Sequence, residues 1–176
     1  RWTALIDTYT FPTVAGQASY ALPAGFRAFA NMSQWDRTYN RPLMGPTPSL
    51  VWQFMKSGIG QGATIDRWFR IQGGKIYIHP TPEADGDTIA FDYYSKNWIT
   101  RQSDGVPDSK FNSDNDMVRL EEDLLTADLK WRFLQAKGFP YEAEYKIFES
   151  TREDCLFDDG GKGRINLGKR YEQWSG

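Results

Sequence analysis

Apolar and polar residues alternate along two early stretches, Thr8 to Val14 and Gln17 to Leu22, both rich in Tyr, Phe, Thr and Val. Both read as β-strands. Ala15-Gly16 lies between them and Pro23-Ala24-Gly25 follows, so a β-hairpin is expected here. A third strand is expected over about Phe29 to Trp35, before the prolines of RPLMGPTP interrupt the pattern. Thr47 and Pro48 then suit the N-cap and first position of a short helix near 48–57. Leu50, Val51, Phe54 and Met55 follow at helical spacing and Gly58 is its expected end. Arg67 to Gln72 and Lys75 to His79 flank Gly73-Gly74, a dipeptide suited to a tight turn with positive φ, and predict a second hairpin. Asp85-Gly86-Asp87 turns the chain into one more strand, Thr88 to Tyr94.

The period changes after residues 101–116, RQSDGVPDSKFNSDND, a polar and turn-rich connector. Leu120, Leu124, Ala127, Trp131 and Leu134 form the apolar stripe of a helix that should end near Gly138. Pro140 restarts the chain, and Tyr141, Tyr145, Phe148 and Cys155 repeat that geometry. Asp128 with Arg132 and Glu142 with Lys146 supply i,i+4 pairs on the wet side. The expected fold is therefore α+β. An antiparallel β-sandwich-like domain over about residues 7–100, within a mainly β domain of 1–100, precedes an antiparallel helix pair over 117–157. A helix pair alone does not bury both of its stripes well. It must pack on the β part, on further helices of a bundle, or on neighbouring subunits. Residues 158–176 are Gly-rich and basic in their middle, and read as an extended tail that orders on a partner.

Composition narrows the function. Lys plus Arg number 21 against 23 Asp plus Glu, a formal net charge of −2, so no global basic field draws the chain onto nucleic acid or an anionic membrane. No apolar run approaches the roughly 18 residues of a membrane-spanning helix, so no membrane partner is expected. A single cysteine, Cys155, excludes an intrachain disulfide and a CxxC site. The chain opens RWTALID, without Met or the layout of a signal peptide, which leaves room for residues upstream.

Each candidate chemical group has a structural reading that explains it better. His79, the lone histidine, ends a strand before Pro80, and with one His and one Cys a zinc site would need a poor, carboxylate-rich ligand set. Cys155 sits on the apolar stripe of the second helix, the ordinary place for a buried thiol rather than a nucleophile paired with His79. The acids at Asp85/Asp87, Asp114/Asp116, Glu121 to Asp123 and Asp158/Asp159 lie at turns and helix starts, where carboxylates satisfy free N–H groups. The glycines of SGIGQGAT (57–64) follow a helix instead of preceding one, unlike a phosphate loop. No residue is assigned a catalytic or metal-binding role, and no cofactor is expected.

Four blocks, SYALPAGFRAF, WDRTYNRPLMGPTPSLVWQFMKSG, FRIQGGKIYIHPTPEADGDTIAFDYYSKNWI and LLTADLKWRFLQAKGFPYEAEYKIFE, occur in that order. Together they resemble the head-to-tail adaptor (connector) proteins of tailed bacteriophages, a group that includes tail tubular protein A of short-tailed phages. The resemblance implies a non-enzymatic virion protein at the head-tail junction, assembled in the bacterial host cytoplasm. It implies a homo-oligomeric ring of about twelve copies, bound to the portal protein and to the next tail component, a nozzle or a tail-tube or tail-completion protein. Genomic DNA would pass through the ring without specific binding. The basic and aromatic residues of the tail, Lys162, Arg164, Ile165, Leu167, Lys169, Arg170, Tyr171 and Trp174, are the candidate portal-docking segment. The alternative is a carbohydrate-binding or carbohydrate-active β-sandwich protein, motivated by seven Trp, nine Tyr and the many carboxylates.

Overall fold

The computed structural model describes residues 2–57 and 66–160. The elements run β1 (Ile6–Pro12), β2 (Ser19–Ala21), β3 (Phe26–Phe29), β4 (Trp35–Asp36), β5 (Arg41–Pro42), α1 (Ser49–Lys56), β6 (Trp68–Gln72) and β7 (Lys75–His79). There follow β8 (Thr88–Ser95), β9 (Ile99–Thr100), β10 (Pro107–Asp108), β11 (Met117–Val118), α2 (Glu122–Lys137) and α3 (Glu142–Asp158). The mixed α+β class and the order of sheets before helices are as the hydrophobic pattern predicts. The chain forms two compact units, one of Leu5–Met117 and one that joins the residues up to Ala4 to those from Val118 onward.

The first unit is built on β8, the longest strand. β1 pairs antiparallel along one edge of it, from Ile6 opposite Tyr94 to Pro12 opposite Thr88. The other edge is shared: β3 pairs near Tyr93 to Ser95, and β4 pairs at Ile89 and Ala90 and carries β5 outside it. A second antiparallel sheet has the order β2-β7-β6. The inward residues of the two sheets form one core of Phe11, Tyr20, Leu43, Phe69, Ile76, Ile78, Ile89, Phe91 and Tyr93. Ring pairs join the layers, Phe11 with Tyr20 at 4.8 Å and Phe29 with Phe69 at 5.5 Å, so the sheets share aromatic contacts as well as area. The Gly73-Gly74 hairpin forms as expected, both glycines having positive φ. A small third sheet orders β10-β9-β11.

Three local expectations are corrected. β1 and β2 do not pair as a hairpin; β1 joins β8 and β2 joins β7, so the chain between them crosses from one sheet to the other. At the crossing Thr13 N–H donates to Asp87 O and Gly16 N–H to Pro82 O, while the Tyr20 hydroxyl accepts from Val14 N–H and donates to Gln17 O. The single strand expected over Phe29 to Trp35 is two short strands, because Asn31 adopts positive φ and Ser33 Oγ takes the Asp92 N–H in place of a ladder acceptor. Thr47 is not the cap of α1. Its N–H donates to Phe69 O, which holds it along the edge of β6, and Pro48 takes the N-cap position.

Charge also ties the sheets. Arg67, just before β6, pairs with Asp36 of β4 at 2.8 Å and with Asp87 at the foot of β8. Asp36, only 2% exposed, also accepts the N–H groups of Thr38 and Tyr39 that shape the β4–β5 turn. Removing Arg67 leaves two buried carboxylates without their cation, a loss of about 3 kcal/mol or more. Arg67→Ala is therefore expected to lower the urea-unfolding free energy by that amount at pH 7, and a change under about 1 kcal/mol in urea titration contradicts this account.

Candidate assembly interface

The second unit is an antiparallel helix pair whose ends are set locally. Glu122 and Asp123 lie in the first turn of α2, where they complement the helix dipole. Gly138, at φ 73°, ends α2, with its N–H and that of Phe139 returning to Gln135 O and Leu134 O. The expected stripe packs inward: Leu124 and Ala127 are buried, and Trp131 meets the rings of Tyr141, Tyr145 and Phe148 at 6.2, 5.2 and 6.0 Å. Asp128 pairs with Arg132 at 2.8 Å on the wet side. Glu142 accepts the Tyr141 N–H at the start of α3. Past the end of α3, Asp159 accepts the N–H groups of Thr3 and Ala4, and Arg119 donates to Ala4 O, so both ends of the unit are fastened together.

Each helix also carries a second stripe that the sequence reading missed. On α2, Leu129 is 67% exposed and Phe133 60%, with exposed Thr126 before them and Ala136 after. On α3, Ile147 is 53% exposed and Phe157 69%, with Ala143, Ser150 and Asp154 completing the line. At about 100° per residue, each outer line lies roughly 160° around its helix from the inner one. The signal was in the sequence: the outer residues repeat the inner spacing, displaced by two positions. Each helix thus carries large apolar side chains on opposite faces, one packed within the pair and the other exposed.

A family model for the SU10 adaptor protein matches residues 1–156. The chain belongs to the SU10 adaptor protein family. It is thus a phage adaptor protein, a structural class. No match is found among curated proteins.

In this adaptor several of the groups weighed as chemical candidates have structural partners. Asp85 accepts the Ala15 N–H, and Asp116 accepts the N–H groups of Asn112, Gln102 and Ser113, bonds that hold its carboxyl below the usual range, Asn112 foremost. Burial, then the nearby acids led by Glu121, push the Cys155 thiol up, so it stays protonated. A cavity of about 480 Å³ beside Tyr39, Arg41 and Glu83 includes Asp36 and Asp87, but Arg67 engages both acids. No group of three His, Cys, Asp or Glu side chains is placed to hold a metal among the described residues. No helix of the described residues is long and apolar enough to cross a membrane. The glycine-rich segment from 58 onward and the tail residues Lys162, Arg164, Ile165, Leu167, Lys169, Arg170, Tyr171 and Trp174 lie outside the described residues.

His79 ends β7 with its ring 5.9 Å from that of Trp52, the buried anchor of α1, which also lies under the Arg70 guanidinium at 4.8 Å. Burial first, then the charge of Lys56, lowers the His79 pKa, so the fold favours the neutral ring. The unfolded chain binds the proton more readily, and stability falls as pH drops from about 6.5 towards the lowered value. His79→Gln is expected to flatten this slope between about pH 7 and 5.5 in pH-resolved thermal unfolding. An unchanged slope assigns it to other groups.

Proposed function

We propose that this adaptor works as a ring subunit between the portal of the phage head and the tail, in the manner of the tail tubular protein A proteins, with genomic DNA passing through the ring. The observation that carries the reading is the helix pair with apolar residues on two opposite sides, one side covered within the chain and the other open. A head-to-tail subunit contact uses two different surfaces, and rings arise when its rotation closes. The formal charge of −2 suits a conduit wall that does not hold phosphates.

The same reading gives the chain two larger surfaces to serve, portal above and tail component below, at the head-tail junction of the virion. The basic and aromatic residues between Lys162 and Trp174 are proposed as the portal-docking segment, since cations and Trp or Tyr anchors suit coupled folding on a partner. The aromatics that motivate a carbohydrate-binding alternative are largely engaged within the chain. Trp52 is buried, Trp98 stacks edge-on to Phe111 and donates to Ser109 O, and Trp131 lies in the helix pair.

Imaging of the wild-type chain mixed with portal-containing particles should show a collar at the portal vertex, and particles without one overturn the adaptor position. A chain ending at Gly160 keeps Asp159, and with it the contacts to Thr3 and Ala4, and should lose co-sedimentation with those particles at least tenfold. Undiminished co-sedimentation of the shortened chain removes the tail from the portal contact.

A further inference from the structure

The outer stripes of α2 and α3 differ in charge. Lys130, Arg132 and Lys137 border the α2 stripe, with Glu122 the one acid on that face. The Lys137 Nζ lies 5.8 Å from the Phe133 ring, directly beside the apolar line. Arg132 pairs with Asp128 but remains 61% exposed. On α3 the signs reverse: Glu153, Asp154 and Asp158 border or interrupt the stripe, and Lys146 is the one base.

We infer that the outer face of α2 in one copy docks on the outer face of α3 in the next copy of this chain. The inference rests on the ring reading and names the two surfaces that make the contact. Each stripe brings apolar area, Leu129 and Phe133 on one side and Ile147 and Phe157 on the other, all of them more than half exposed. The bordering charges then choose the pairing. An α2 face against another α2 face sets Lys130, Arg132 and Lys137 against their own kind, and two α3 faces set acid against acid, whereas α2 against α3 sets bases against acids. Because the two stripes point away from the pair in opposite directions, this contact is heterologous and leaves one free face at each end of any open chain of copies. Copies add until rotation closes the ring.

The test uses the full-length chain and two exposed positions whose substitution leaves the inner stripe intact. Leu129→Glu places an unpaired acid in the α2 face, opposite acids. Ile147→Lys places an unpaired base in the α3 face, opposite the bases of the α2 face. Sedimentation velocity and light scattering follow mass against concentration, with circular dichroism checking that the helices are retained. The wild-type chain should grow beyond a dimer as concentration rises, less readily at high salt, and each variant alone should associate at least tenfold more weakly. An equimolar mixture of the two should form a one-to-one dimer that grows no further, because only one competent α2 face and one competent α3 face remain to meet.

Three results overturn the inference. One is wild-type association that neither substitution weakens, as when residues 161–176 of the same chain cover the stripe. Another is loss with Leu129→Glu alone while Ile147→Lys associates normally, the mark of an α2-to-α2 contact. The third is a wild-type chain that stays monomeric at hundreds of micromolar. A chain that forms collars on portal particles yet fails this test keeps the adaptor reading and loses the interface. Association through these faces without portal docking does the reverse.

Discussion

Apolar side chains on opposite faces of one helix set the character of the second unit of this adaptor, because the pair itself covers only one face of each helix. On α2, α3 covers the side of Leu124, Ala127 and Trp131; Leu129 and Phe133 are left to water. Fully burying a residue of this size is worth about 1.5–3 kcal/mol, so in the proposed contact between copies several such residues would offset much of the entropy lost on association. α3 has the same two-sided design with a thinner outer line, in which Ser150 and Asp154 separate Ile147 from Phe157. The thinner line makes charge more important to its pairing, since less apolar area is available to decide it.

The β unit has its constraint inside. Its buried apolar residues meet one another across two sheets, and its buried charges have partners in Arg67, Asp36 and Asp87. Buried ion pairs add little to stability compared with a well-packed apolar core, but removing one member is costly. The network therefore acts as a constraint on register: Arg67 reaches Asp36 and Asp87 together only when β4, β6 and β8 hold their observed positions.

The parts of this architecture that were legible in the sequence are those decided over a few residues. The Gly73-Gly74 turn, the strand from Thr88, the end of α2 at Gly138 and the inner stripe of both helices follow from local backbone and side-chain preferences. Pairing over long sequence separations was not legible. Ala15-Gly16 marks a turn, but a turn does not say whether the strands beside it join each other or two different sheets, and here Tyr20 and the 82–87 segment direct them apart. Thr47 has the chemistry of a cap and is held instead by a backbone bond to Phe69, made possible by a segment remote from it in sequence. The outer stripe was missed for another reason: once Leu124, Ala127 and Trp131 explain a helix, Leu129 and Phe133 pass as the scattered exposed apolar residues of any surface. Only their exposure, read beside the filled inner face, shows a second surface.

The small net charge carries a related lesson. A value of −2 excludes a global field, yet it arises from faces of opposite sign, basic beside Phe133 and acidic beside Phe157. Attraction between exposed charges fades beyond a Debye length of about 8 Å at physiological salt, so such faces do not gather copies from a distance. In the proposed contact they act once the apolar lines have met, by penalising the two pairings that set like charges together. Apolar area then provides the affinity and charge provides the polarity of the contact, and a contact with polarity is the kind that propagates around a ring instead of stopping at a pair.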